Sequence, residues 1–289
     1  MTKRIKSILA LGLAAFLLFA CAACGPNDPA PTSAPETTTE EPAINVVVTT
    51  EPEETSTQEP TTEEPTTEVA TTTAETTTGA PKSKAEIVKY VNEVMAALRE
   101  KRPGYSMRER THIDGDGITS SKNAIQVLGR GVINLAKNIF TKWTDPSVKG
   151  TDNDHKGVNP KTELQNSWVK SASCTDNGNT YSIRVNLVDE KVPTLPVNEK
   201  DTMHGKITMV QTKGGFEGGA GQVGITFSKA EITYSGSYID LTINKATGLP
   251  QKIVAYTNYK LDMIADLFGG VDVVIPLANE KEFTIKESL

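Results

Sequence analysis

The chain has 289 residues, a formal net charge of −6 and 37% hydrophobic side chains, enough for one sizeable globular domain. The charge is segregated: residues 1–24 carry +3, residues 25–81 carry −12 from Asp28 and eleven glutamates, and residues 82–289 carry +3. A folded part so weakly basic lacks the dense clustering of a nucleic-acid binder, and nucleic acid is excluded as a partner.

Lys3, Arg4 and Lys6 form a basic head, and Ile8 to Ala20 is an uncharged apolar run. That run is shorter than the roughly 20 residues needed to cross a bilayer and suits a secretory signal. Its end, Leu18-Phe19-Ala20-Cys21, resembles a bacterial lipobox. The resemblance implies a signal peptide over 1–20, a diacylglycerol on Cys21 and a mature N-terminus there. Cys24 is the alternative acceptor. Cys21 is preferred because Leu18 stands at −3 and Ala20 at −1, whereas Cys24 has Cys21 itself at −3. The implied location is extracytoplasmic, lipid-anchored to the cell membrane of a Gram-positive bacterium, with the membrane as a partner.

Residues 21–81 are rich in Thr, Glu and Pro, as in Glu63-Glu64-Pro65-Thr66-Thr67. Such a composition buries too little apolar surface to offset chain entropy and is expected to be disordered. Its reach lies between roughly 40 Å as a coil and about 180 Å fully extended, which suits a stalk through a cell wall.

Order is expected from residue 82. Ser83-Lys84-Ala85-Glu86 is a capping box, and Ile87, Val88, Val91, Val94, Met95 and Leu98 recur at helical spacing until Pro103-Gly104. Tyr105 to Ile113 reads as a strand, Asp114 to Gly117 as a turn, and Ser121 to Trp143 as a second helix weakened by Gly129 and Gly131. From Trp168 the period changes to two. Trp168 to Cys174, the turn at 176–179, and Tyr181 to Leu187 form a hairpin. A Pro-containing loop follows over Glu190 to Asp201. Lys206 to Gln211 fits a short strand or a helix, and Gly214 to Gly221 a flexible loop. A meander of strands near 222–234, 238–244, 251–264 and 271–285 closes the chain, with turns at Ser235-Gly236, Ala246-Thr247-Gly248 and Gly269-Gly270. The expectation is an α+β domain over 82–289, with N-terminal amphipathic helices packed on a curved antiparallel sheet.

Ser83-Lys84-Ala85-Glu86-Ile87-Val88 and the segment from Ile243 through Asn244-Lys245-Ala246-Thr247-Gly248-Leu249 to Pro250 resemble a group of gut-type Gram-positive (Firmicutes-type) surface lipoproteins of no assigned activity. The second segment also resembles the strand–turn–strand of LolA/LppX-type lipoproteins. That likeness implies a half-barrel sheet whose concave side, closed by helices, holds acyl chains.

No catalytic motif stands out. Gly-x-Ser-x-Gly, His-Glu-x-x-His and a P-loop are missing from the sequence, and Cys21-Ala22-Ala23-Cys24 has no second Cys-x-x-Cys to pair with. His112, His155 and His204 lack metal-ligand spacing and read as surface residues, and Cys174 as a small buried one. No cofactor is expected. An EF-hand-like pattern places Asp152, Asp154 and Glu163 at ligand positions 1, 3 and 12, but Lys156 occupies position 5. It reads better as a polar surface loop than as a metal site.

Three readings remain. The first is a non-catalytic binding lipoprotein that takes an apolar or amphiphilic ligand. The alternative is a structural or adhesion module that binds a surface protein or wall glycan. The third, an enzyme with a dispersed site, is set aside. A pocket would lie where Ile87, Val91, Val94 and Leu98 face Ile253, Ala255 and Leu261 or their neighbours, with a cavity of roughly 300 Å³ or more. Trp168, Tyr234, Tyr238, Tyr256 and Tyr259 are the aromatic candidates for a ligand face.

Overall fold

The computed structural model describes residues 79–123, 126, 141–151, 155–208, 210, 212–221, 226–266 and 270–286. Cys21, Cys24, the stalk up to residue 78, most of the expected helix at 121–143, and Asp152 and Asp154 lie outside the described residues.

The first helix, α1 (Lys84–Lys101), forms as its sequence dictates. Ser83 Oγ accepts from the Glu86 amide at 3.2 Å, and the Glu86 carboxylate accepts from the Ser83 amide at 3.0 Å. Those backbone hydrogen bonds hold the Glu86 carboxyl below its ordinary value. Ile87, Val88, Val91, Val94, Met95 and Leu98 are all buried. The helix ends at Arg102, whose φ of 46° is left-handed and whose amide bonds Leu98 O at 3.0 Å.

The strands form one open antiparallel sheet. They are β1 (Tyr105–Ile113), β2 (Thr119–Ser120), β3 (Ser147–Lys149), β4 (Val169–Asp176), β5 (Thr180–Leu187), β6 (Glu190–Val192), β7 (Phe227–Tyr234), β8 (Tyr238–Asn244), β9 (Pro250–Ala265) and β10 (Val271–Ile285). The order is β3-β1-β10-β9-β8-β5-β4, with β2 on β10, β7 on β9 and β6 on β7. The N-terminal strand β1 thus lies beside the C-terminal β10 along its whole length.

The expected turn at Ser235-Gly236 does not join neighbouring strands. β7 and β8 run end to end along the 16-residue β9, with Tyr234 opposite Tyr259 and Tyr238 opposite Tyr256. Residues 235–237 therefore face only 257 and 258, a bulge that Gly236 permits with φ 69°. Asn258 ties it down: its Nδ2 donates to Ser235 O at 2.9 Å and its amide to Ser237 Oγ at 3.1 Å. The extra residue reverses the alternation, so Ile232 and Tyr234 share a face with Ile239, Leu241 and Ile243. β5 and β6 continue along β8 and β7 in the same way.

Two apolar clusters occupy this inner face. One unites the α1 stripe with Ile183, Val185, Ile239, Leu241, Ile253 and Phe283. The other gathers Phe216, Ile232, Tyr234, Tyr259, Leu261 and Ile275. Leu261 therefore belongs to a different cluster from the α1 stripe that was expected to face it. Between the clusters runs a polar belt. Lys281, 7% exposed, pairs with Glu109 at 3.1 Å, and Thr111 hydrogen-bonds Asn279 at 3.1 Å beside buried Thr257.

The short α2 (Met203–Ile207) takes only Lys206 and Ile207 of the segment expected as a strand or helix, and the chain leaves the helix at the extended Thr208. Gly205 lets it press on the preceding turn, since a Cβ there would lie 1.8 Å from Glu199 O. The glycine-rich stretch expected as a loop is instead α3 (Lys213–Gly221). Thr212 Oγ1 accepts from the Gly215 amide, and Phe216, wholly buried, packs on Phe227 at 4.8 Å. Burying the Phe216 ring contributes roughly 1.5–3 kcal/mol and offsets only part of the roughly 1 kcal/mol that each of the five glycines in this helix costs.

Candidate functional site

The outer face of the sheet carries a continuous row of planar and charged side chains. Alternation sets it up: Arg184 lies between inward Ile183 and Val185, and Tyr256 between buried Ala255 and Thr257. Register then aligns Arg184 with Asp240 across β5 and β8, and Tyr238, Tyr256, Glu280 and Arg110 across β8, β9, β10 and β1.

Arg184 grips Asp240 with two bonds, Nε to Oδ1 at 2.7 Å and a terminal nitrogen to Oδ2 at 2.5 Å. This carboxylate raises the guanidinium's pKa further above its already high value. The same guanidinium lies 4.2 Å over the Tyr238 ring, and Tyr238 stacks on Tyr256 at 4.9 Å with 19° between planes. The His112 ring meets Tyr256 at 6.0 Å. Glu280 accepts from Arg110 Nε at 2.7 Å and bonds His112 Nε2 at 2.9 Å. Burial pushes the Glu280 carboxyl up, but these bonds outweigh it and hold it below the ordinary value. Glu282 serves Arg108 and Lys252, at 2.6 Å each. Both Arg108 and Arg110 lie over the Trp143 ring, at 4.5 and 4.3 Å. Burial, and the nearby Asp240 and Glu280 charges, raise both tyrosine hydroxyl pKa values.

The expected aromatic set is therefore split by the structure. Tyr238 and Tyr256 stand on the outer face, whereas Tyr234 and Tyr259 are inner-core residues. Trp168 packs at the edge of the α1 cluster with the Lys206 ammonium 6.0 Å from its ring centre. The arginines, Trp143 and their carboxylates were not singled out by the sequence. Their signal lies in cross-strand register, which a single sequence does not display.

Two of the histidines are not at the surface, contrary to expectation. His155 is buried because its Nε2 donates to Pro103 O at 2.8 Å and its ring packs on Tyr105 at 5.1 Å. His204 is 0% exposed and stacks on Tyr234 at 4.4 Å. Glu190 orients it, accepting from the ring Nδ1 and the His204 amide at 2.9 Å each and from the Met203 amide at 2.8 Å. Burial raises the Glu190 carboxyl, yet these donors together hold it below 4.5. Nε2 of His204 has no hydrogen-bond partner. This is a histidine–carboxylate pair whose imidazole is wholly buried and whose carboxylate is half-buried.

Of the EF-hand-like ligands only Glu163 is described. It is exposed and lines a groove of about 450 Å³ between the flank of α1 and residues 163–166. Asn92 closes the floor of that groove, donating to Leu164 O at 2.9 Å and accepting its amide at 2.8 Å. Where an EF-hand needs an exiting helix, the chain makes a single turn, Asn166–Trp168, and enters β4. Among the described residues no three acidic, His or Cys side chains gather as metal ligands. Cys174 is half-buried and unbridged, and burial raises its thiol pKa.

Set against known proteins, the chain matches no family model, no curated protein and no solved structure.

Proposed function

We propose that the protein is a non-catalytic surface lipoprotein, anchored through Cys21 with Cys24 as the alternative. The outer face of its sheet binds an extended amphiphilic ligand. The observation that carries this reading is the row from Arg184 through Tyr238, Tyr256 and Arg110 to Trp143, held in place by cross-strand stacking and carboxylates. Tyr, Trp and Arg are the residue types in which binding energy concentrates. Side chains already immobilised by their neighbours lose little entropy when a ligand arrives.

The helix-covered face supports an acyl carrier less well. A chain lying along inner β9 would leave one apolar cluster and cross the Lys281–Glu109 pair and Thr257 before reaching the other. Crossing buried polar groups costs several kcal/mol when their hydrogen bonds are disturbed.

The test uses the full chain in detergent and its Tyr238→Ala/Tyr256→Ala variant, incubated with isolated cell envelopes. Retention of the parent and loss of the variant, at unchanged circular dichroism, is the expected result. Equal retention of both overturns the outer-face reading. Uptake of a fluorescent fatty acid, equal in both, transfers the site to the helix-covered face. Cys21→Ser is expected to release the protein from membranes or leave it unprocessed.

A further inference from the structure

We propose that β4 is an interaction edge whose partner is β4 of a second copy of this chain, paired antiparallel about Ser173. The argument starts from how the sheet ends. Three of its outermost strands are stubs: β2, β3 and β6 are only two or three residues long. Beyond β3 the margin of β1 is met by Thr144, which donates its amide to Glu109 O and accepts the Glu109 amide on Oγ1, at 2.9 Å each. β4 is the exception, an eight-residue strand at the end of the strand order. Among the described residues no strand pairs with its far side. Lys84 Nζ donates to the carbonyls of Asn166 and Val169 at 3.2 and 3.0 Å, so the open stretch starts at Lys170. From Ser171 through Ala172, Ser173 and Cys174 to Thr175 it carries neither charge nor proline, two devices that guard exposed edges. Such an edge takes up a further strand through its main chain.

Charge identifies the occupant. Lys170 stands at one end of the stretch and Asp176 at the other, with side chains 64% and 47% exposed. Antiparallel pairing about Ser173 sets each Lys170 opposite the Asp176 of the other copy, twice over, and opposite charges across strands are favourable. A slip of two residues in either direction loses both pairs. The present partners do not oppose this, since Lys170 reaches Asp189 only at 3.9 Å and Asp176 is held by Lys245. Acidic and basic groups then alternate across the junction. Between the charged ends Ser171 meets Thr175 and Ala172 meets Cys174, all small. Both residues of each pair have the same parity, so whichever amides point away from β5 meet their own kind and the ladder closes. A general extended peptide has no need of this reversed-sign symmetry, whereas a two-fold contact requires it. Ser173 lies opposite outward Arg184, so both outer faces turn to the same side and the Tyr238–Tyr256 row is doubled. The stretch is about 24 Å long. One strand pair falls short of a standard interface, which makes the dimer weak and reversible.

The test uses cysteine variants of the full chain in detergent, with mild oxidant and non-reducing electrophoresis. Ser173→Cys, made together with Cys174→Ala, brings a thiol opposite itself, and Ala172→Cys brings one opposite native Cys174. One of these two pairs is non-hydrogen-bonded whichever amides point outward, and its Cα separation of about 4.5 Å suits a disulfide. Lys170→Cys faces Cys174 only in a slipped register. The expected result is a bridged dimer, well above the level of the parent, with at least one of the first two variants and not with Lys170→Cys. In sedimentation equilibrium Lys170→Glu should weaken association about fivefold or more, and Lys170→Glu/Asp176→Lys should restore it. Bridging at Lys170→Cys in place of the other two overturns the pairing. A bridge from Ser173→Cys to a different envelope protein in intact cells gives the edge to another partner and overturns the second copy. A chain that stays monomeric into the sub-millimolar range, with no bridge beyond that of the parent, overturns the proposal outright.

Discussion

The two faces of the sheet are built from the same strands by different physics. The inner face is cohesive through burial: Ile253, Phe283 and the α1 stripe are each almost wholly removed from water. The outer face coheres through pairwise contacts between half-exposed partners such as Tyr238 and Tyr256, each of modest strength. Removing a side chain from the first should cost stability. Removing one from the second should cost recognition.

The largest expected effect is Leu98→Ala on the inner face. Leu98 is 0% exposed at the centre of the α1 cluster, and its truncation should lower unfolding free energy by about 2–5 kcal/mol in a denaturant melt. A cost below about 1 kcal/mol would mean that α1 is not integral to the core.

Glu190→Gln comes next, with an expected loss of about 1.5–3 kcal/mol at neutral pH from weakened charge-assisted bonds to α2. The Glu190 carboxyl is depressed in the folded state, so its contribution is present above the ordinary value of 4.5 and is lost as pH falls through the lower folded value. The Gln variant should therefore lose less stability than the parent between neutral pH and that acid window. Parallel pH profiles would remove Glu190 from the linkage.

On the outer face, a double-mutant cycle of Tyr238→Ala and Tyr256→Ala should give a coupling of about 0.5–1.5 kcal/mol. A larger coupling would make the row a structural element in its own right and blur the division between the faces. The smallest effect should come from Arg102→Gly. Relieving a left-handed non-glycine residue at the end of α1 should raise stability by a few tenths to about 1 kcal/mol, read as a shift in Tm.

The inner face was legible in the sequence because its signals are local. The capping box at Ser83, the stripe from Ile87 to Leu98 and the alternation of Ile183, Val185 and Leu187 each fix burial within one element. One further local signal was missed. Tyr234 and Ile239 are both buried yet five positions apart, an odd interval that breaks the alternation and marks the bulge at Gly236. Of the outer row only Tyr238 and Tyr256 were legible, because Arg184, Glu280 and Arg110 come from three further strands and meet them only through register. The helical state of Lys213–Gly221 was hidden for a similar reason, since the glycines speak against it and the contact of Phe216 with Phe227, eleven residues on, is tertiary.

The extra residue at Gly236 has a mechanical meaning. It puts a crease across the sheet where β7 gives way to β8, and the Tyr238–Tyr256 stack sits on the first register pair beyond it. Both rings stand on the β8 side of that crease, so flexing along it would carry the stacked pair as a unit. The same flexing would alter the angle between the two inner clusters, which lie on either side of the polar belt.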